Sequence, residues 1–265
     1  MFEARLSQAA VLKRVIDAVK DLCKEVNLDV SAGGIEMQSM DTSHVCLVSF
    51  HLFAACFERF ECDAPVTLGV NLENLSRLLK CADADDAVTL KTRGSSEDVM
   101  VIVIESEEGA RVSTVDMKLM SIDSDHMEVP EPASSVELTL SSTRYQRIMR
   151  DLSNFGDTLS ISAAASSDAD DVVVHFGTTG DVGDIAMDIK PSGDSECVRV
   201  TESVDGIFAM RYMNTFAKAT PLAPRVQLGL VQDMPVRISY NVRDQFSLTY
   251  FLAPKIGDGD GDADD

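Results

Sequence analysis

The chain has 265 residues, 45% hydrophobic and 25% charged, enough for one large domain or two ordinary ones. It carries 44 Asp and Glu against 23 Lys and Arg, a formal net charge of −21, so the body as a whole repels polyanions. No apolar run approaches the roughly 18–20 residues that span a bilayer, and MFEARLSQAAVLKRV lacks the order of a signal peptide, so a soluble intracellular protein is expected.

In chain order, the first element with a clear period is a helix. Leu12, Val15, Ile16, Val19 and Leu22 recur at i, i+3, i+4 and i+7, and at about 100° per residue Lys13, Arg14 and Lys20 fall on the other side. Short β-branched and apolar runs predict strands at 26–30, 35–40, 45–53 and 66–70, with Gly33-Gly34 as a hairpin turn. A second helix places Leu72, Leu75 and Leu79 inward against Arg77 and Lys80, and strands follow at 87–91, 99–104 and 111–118. Residues 119–135, LMSIDSDHMEVPEPASS, have two prolines, several acids and no period, and read as an extended linker.

Beyond the linker the order returns. A strand at 136–140 precedes a third helix with Tyr145, Ile148, Met149 and Leu152 inward and Arg147 and Arg150 opposite; Arg144 falls nearer the edge of that face. Strands are expected at 158–162 and 172–176. A fourth helix sets Met210, Met213, Phe216 and Ala217 against Arg211 and Lys218, before strands at 226–231, 235–240 and 246–251. Val11 to Arg147 and Asn71 to Arg211 give offsets of 136 and 140 residues, which argues for two copies of one architecture. The expected organisation is a first domain over 1–118, a connector over 119–135, a second domain over 136–256 and a disordered acidic tail over 257–265.

The four helices hold 10 basic residues against only Asp17, Asp21, Glu73 and Asp151. One basic stripe alone is a solvated helix face; four on corresponding elements of an acidic chain indicate a phosphate-facing surface. Catalytic motifs are missing: no P-loop, no GxGxxG after a strand, no GxSxG and no HExxH. His44, His51, His126 and His175 are scattered, and the six cysteines have neither CxxC nor zinc spacing. Asp168, Asp170 and Asp171 read as a loop, and Asp258, Asp260 and Asp262 lack the rest of a calcium loop. Asn74-Leu-Ser76 matches a glycosylation sequon but falls within a predicted helix. No cofactor or metal is expected. With no Trp and 6% aromatic residues, stacking on bases is disfavoured, leaving phosphate contacts without sequence preference.

MFEARL at the start, MQSMDTSHVCLV at 37–48, GVNLENLSRLLKCA at 69–82, MKLM at 117–120 and LAPKI at 252–256 closely resemble the eukaryotic sliding-clamp family of proliferating cell nuclear antigen. RIMRDLSNFGD at 147–157 and RYMNTFAKATPL at 211–222 are similar to the same family, so the resemblance runs from Met1 to about Ile256. It implies an α+β fold: two similar clamp domains per chain, antiparallel sheets outside, two helices per domain inside, and a head-to-tail homotrimeric ring. Duplex DNA would pass through the hole, encircled without sequence preference, with Lys13, Arg14, Lys20, Arg77, Lys80, Arg147, Arg150, Arg211 and Lys218 facing it. The linker resembles the family's interdomain connector. The pocket beside it, which takes short peptide motifs, would use Met40, His44, Val45 and Leu47, then Met127, Val129 and Pro130, then Pro235, Phe251, Ala253, Pro254 and Ile256.

Implied partners are DNA polymerase delta-type enzymes, the clamp loader, a flap nuclease, DNA ligase and other peptide-motif proteins. No membrane is involved, and the implied location is the nucleus. The subunit interface would use Arg111, Ser113, Val115 and Met117 against Val182, Ile185 and Met187. Two departures stand out. Val115 replaces an aromatic residue frequent in the family's pairing strand and buries less area, and no lysine occurs between Lys118 and Lys190, where the family commonly carries a modifier acceptor. A subunit of a checkpoint-type heterotrimeric clamp is the alternative reading, and an unrecognised hydrolase a third; the pocket residues and the basic residues in both halves favour the homotrimer over the checkpoint clamp, and the missing catalytic constellation argues against the hydrolase.

Overall fold

Alternation begins at the second residue: Phe2, Ala4 and Leu6 are buried and Glu3 and Arg5 half-buried, so FEARL forms β1 (Phe2–Leu6) with a period of two. The structure is a computed structural model that describes residues 1–93, 96–106, 109–123, 127, 133–165, 172–181, 183–193 and 195–255. It divides into two units, the first comprising Met1–Val129 with Asn241–Thr249 and the second Pro130–Tyr240 with Tyr250–Asp265.

In the first unit β1 leads into α1 (Ala9–Val19), which buries Ala9, Leu12, Val15, Ile16, Ala18 and Val19. β2 (Glu25–Ser31), β3 (Gly34–Met40), β4 (Cys46–Phe53), β5 (Arg59–Cys62) and β6 (Val66–Asn71) follow. α2 (Leu72–Leu79) comes next, then β7 (Ala87–Arg93), β8 (Ser96–Glu105) and β9 (Val112–Lys118). One antiparallel sheet has the order β5-β1-β7-β8-β9, and β4-β3-β2-β6 run antiparallel in another. The β2–β3 turn is Ala32-Gly33 rather than the predicted Gly33-Gly34, since Ser31 pairs with Gly34. Gly34 opens β3 at φ 139°, where a Cβ would stand 2.0 Å from the Leu52 carbonyl oxygen.

The second unit has β10 (Val136–Ser141), α3 (Ser142–Leu152), β11 (Thr158–Ala163), β12 (Val174–Gly180) and β13 (Gly183–Ile189). It continues with β14 (Cys197–Val200), β15 (Val204–Ala209), α4 (Met210–Phe216), β16 (Arg225–Leu230), β17 (Val236–Val242) and β18 (Phe246–Leu252), the last two counted here although Asn241–Thr249 group with the first unit. Its sheet orders are β14-β10-β16-β17-β18 and β13-β12-β11-β15. Moving every strand of the first unit nine places along the chain reproduces both orders, so the repeat read from helix spacing extends to the hydrogen-bonded topology.

Helix anchoring repeats as well. The first amide of α1 donates to Asp86 O at 2.7 Å, and that of α3 to Pro224 O at 3.0 Å. The first amide of α2 donates to Lys24 O at 2.8 Å, and that of α4 to Asp157 O at 2.9 Å. Each bond satisfies a donor that an isolated helix leaves orphaned and ties the helix to the turn before a strand. The apolar faces read from the sequence are the buried ones: Leu72, Leu75 and Leu79 in α2, Tyr145, Ile148, Met149 and Leu152 in α3, Met210, Met213 and Phe216 in α4. In the second core Phe216 stacks on Tyr250, with centroids 4.3 Å apart, and Tyr145 Oη donates to Met213 O at 3.2 Å.

β1, β5, β13, β14 and β15 are not among the strands read from the sequence pattern. β5 and β14 are four-residue edge strands with no buried residue, so they carry no apolar signal. β15, VDGIFA, combines a glycine with Ile207 43% exposed, and both blur the alternation.

Residues 119–123 and 127 of the linker lie against β6, β2 and β3 of the first unit. Met120 bridges Gly69 on β6, with its amide 3.0 Å from Gly69 O. Asn27 Nδ2 on β2 donates to Ile122 O at 2.9 Å. Gln38 on β3 grips Met127 from both sides, donating to its carbonyl at 2.8 Å and accepting from its amide at 2.7 Å.

Candidate functional site

The basic residues reach the surface because the opposite faces of their helices are buried. In the first unit α1 packs on α2. Lys13 Nζ donates to Ala82 O at 2.8 Å, which draws its charge toward the cleft between the helices. Lys20 is the residue after the last turn of α1, and its ammonium donates to Asp17 Oδ1 at 2.5 Å and Ser76 Oγ at 3.2 Å. Arg77 pairs with Glu73 one turn back at 2.6 Å, both well exposed, while Arg14 and Lys80 are exposed.

In the second unit Arg147 and Arg150 are 77% and 73% exposed and share Asp151, at 3.6 and 3.9 Å. Arg211 is exposed with its guanidinium 4.9 Å from the Tyr212 ring centroid, which fixes the charge without neutralising it. Lys218 is exposed on a 3-10 turn (Ala217–Ala219), one element beyond the helix on which the sequence reading put it.

Arg144 differs from its neighbours on α3. Its guanidinium donates to Lys190 O at 2.9 Å and pairs with Glu196, whose side chain is 4% exposed. Glu196 also accepts from the amides of Ser141 at 2.9 Å and Ser192 at 3.0 Å. Burial alone pushes the Glu196 carboxyl up, but those two amides and Arg144 together hold it below the usual range. Arg144 thus balances a buried charge beside the start of α3, a task that no helical wheel reveals.

The peptide-pocket candidates fall in both units. In the first, Asp41 builds the loop that presents His44 and Val45. Its carboxylate accepts from the amides of Ser43 at 3.1 Å, Val45 at 2.9 Å and Cys46 at 2.8 Å, and it is 4% exposed. This holds His44 in the left-handed region, φ 56°, and leaves Val45 37% exposed beside half-buried Met40 and buried Leu47. Asp41 and Gln38 were missed as positioning residues; the Asp-Thr-Ser turn signature was the available clue to the first. Met127 is 38% exposed. In the second unit Pro235 and Ala253 are exposed and Phe251 and Pro254 half-buried. The Lys255 amide donates to Ile207 O at 2.7 Å and tethers the segment after β18. Val129, Pro130 and Ile256 lie outside the described residues.

Of the interface candidates, Ser113, Val115 and Met117 share one face of β9, with Val115 half-buried opposite Ile102 of β8. Ile185 and Met187 are half-buried on β13; Val182 lies outside the described residues. β9 and β13 each pair with one neighbour only, so among the described strands each has a free hydrogen-bonding edge. Arg111 pairs within its own unit, with Asp86 at 2.6 Å and Asp83 at 3.2 Å. The Asp83 amide and Arg111 outweigh burial and hold the Asp86 carboxyl below its usual range.

Comparison with known proteins places the chain in context. Residues 1–128 match the family described as proliferating cell nuclear antigen, N-terminal domain, and residues 128–255 its C-terminal domain. A relative, proliferating cell nuclear antigen 2 of Drosophila melanogaster, is 40% identical over 261 residues, covering 98% of this chain and 100% of the relative.

Proposed function

The chain belongs to the proliferating cell nuclear antigen family of non-enzymatic sliding clamps and processivity factors, and from that premise we propose how its residues divide the work. Three copies close head to tail, β9 of one subunit adding to β13 of the next through the two free strand edges. The helix pairs of all six domains line the hole, and Lys13, Arg14, Lys20, Arg77, Lys80, Arg147, Arg150, Arg211 and Lys218 face the duplex.

The observation that carries this reading is the distribution of charge. Exposed and half-buried cations lie on or just past corresponding helices of two units, in a chain whose net charge is −21 per copy. Phosphate contacts of this kind are long-range, screened by salt and blind to sequence, so a ring can hold DNA by enclosure and still move along it. Arg144 takes no part, because Glu196 holds it.

The connector over 119–135 separates the domains at 1–118 and 136–256. By resemblance to the family, the pocket candidates, His44, Val45 and Met127 among them, take partner peptides that insert an aromatic anchor. Polymerase delta-type enzymes, the clamp loader, a flap nuclease and DNA ligase are the partners we expect, in the nucleus. No described helix is long and apolar enough to cross a membrane.

Topology supplies the test. The protein loaded on nicked circular DNA is expected to stay bound in salt that strips it from the same molecule once linearised, and Lys20→Glu with Lys80→Glu should impair loading or sliding. Equal loss from circular and linear DNA would refute enclosure. Sedimentation of the chain alone near 28.7 kDa, rather than three times that mass, would refute the homotrimer.

A further inference from the structure

Two carboxylates sit among the DNA-facing cations in places that helix stability does not favour. Asp17 is in the last turn of α1 and Asp151 in the last turn of α3, the corresponding helix of the other unit. The C-terminal end of a helix carries the negative end of its dipole, so a carboxylate there is repelled. Glu73, by contrast, is in the first turn of α2, where the dipole favours it. The partners of both aspartates are cations assigned to the channel: Lys20 for Asp17, Arg147 and Arg150 for Asp151.

The geometry around Asp17 is the more developed. Its Oδ1 accepts from Lys20 Nζ at 2.5 Å and from Ser76 Oγ of α2 at 3.4 Å, and Lys20 Nζ also donates to Ser76 Oγ. Lys13 and Lys80 line the same small cleft. A carboxylate oxygen therefore occupies a position, between cations and a hydroxyl donor, that suits a phosphate oxygen equally well. Asp17 is 56% exposed and Asp151 43%, and ion pairs this exposed contribute little to folding.

We propose that Asp17 and Asp151 are resident counterions that weaken the ring's hold on DNA phosphates and so keep it mobile. The inference rests on the channel reading above. Lys20, Arg147 and Arg150 each give up a carboxylate contact when a phosphate approaches. Their small counterion release lowers both the affinity and its dependence on salt. The approaching phosphate and the resident carboxylate exchange places on the same cations, so passing from one phosphate to the next never leaves a cation without a partner.

The test compares three trimers, wild type, Asp17→Asn/Asp151→Asn and Lys20→Gln/Lys80→Gln, on a short blunt duplex between about 50 and 200 mM NaCl. One-dimensional diffusion of each on stretched DNA is measured alongside. The neutralised pair is expected to bind roughly three- to tenfold tighter, with a salt slope steeper by about 1, and to diffuse correspondingly more slowly. It is also expected to melt no lower than wild type, whereas a purely structural role predicts a lower melting point. Unchanged affinity, slope and diffusion in the neutralised pair, with weaker binding by Lys20→Gln/Lys80→Gln, overturns the counterion role and leaves the channel reading standing. If neither pair alters binding, the channel reading falls and this proposal with it. Should the double variant fail to fold, Asp17→Asn alone is read the same way, with about a two- to threefold effect expected.

Discussion

Asp41→Ala removes the group on which the exposed 41–45 loop is built. Three amides, those of Ser43, Val45 and Cys46, donate to one carboxylate at 2.8–3.1 Å, and the Cys46 bond is buried. A hydrogen bond to a charged group contributes about 1.5–3 kcal/mol, and a buried amide left without an acceptor costs about 1–3 kcal/mol. The Ser43 and Val45 amides are nearer solvent and recover part of their loss from water, so the net cost is about 3–4 kcal/mol rather than the sum. Asp41→Asn keeps a carbonyl oxygen for two of the amides and should cost about 1–2 kcal/mol.

The functional consequence follows from the loop's conformation. His44 stays left-handed only while the amides after it are held, and Val45 is presented by the same bonds. If the binding-competent loop falls to a tenth of the population, the apparent dissociation constant rises about tenfold. Urea unfolding gives the first quantity, and titration with a labelled peptide bearing an aromatic anchor gives the second. An Asp41→Ala protein within about 0.5 kcal/mol of wild type that binds the peptide equally well would refute the reasoning, since a surface substitution away from special features costs no more than that.

Gly69→Ala should be severe, because its Cβ would stand 1.9 Å from Met120 O; loss of several kcal/mol and release of the connector from β6, read by proteolysis, are expected. The Glu196 carboxyl is held below its unfolded value, so it contributes stability that is present above the ordinary carboxylate pKa of about 4.3 and is lost as pH falls through the lower folded value. Glu196→Gln should therefore cost about 2–3 kcal/mol at pH 7 and flatten the acid limb of the melting curve. Val115→Tyr adds buried area at the proposed β9 interface, and a trimer that resists dilution at least tenfold further than wild type in sedimentation is expected; no change would place Val115 away from the interface.

Much of the fold was legible because helix and strand periods are local. The apolar faces of α1 to α4, the basic faces opposite them and the twofold repeat follow from side-chain order along the chain, and the family motifs cover the same span. Period alone placed Lys20, Lys80 and Lys218 on helices that end before them, since a helix end is set by capping and packing more than by propensity. β5 and β14 escaped because an edge strand with no buried residue has no alternation to read.

What stands across from a side chain was decided only in three dimensions. A helical wheel gives Arg144 an angle around α3, but Glu196, 52 residues later, determines that its charge is spent inside the unit. Residues 119–135 read as a linker, yet Gly69, Asn27 and Gln38 on three separate strands hold Met120, Ile122 and Met127. Asp17 and Lys20 are neighbours in sequence; Ser76, which completes their cluster, reaches them only because α2 packs on α1. By itself the sequence determined which faces are buried and which are charged, because burial follows a period. The tertiary structure decided which charges are spent inside a unit and which stay exposed, because partners distant in sequence compete for them.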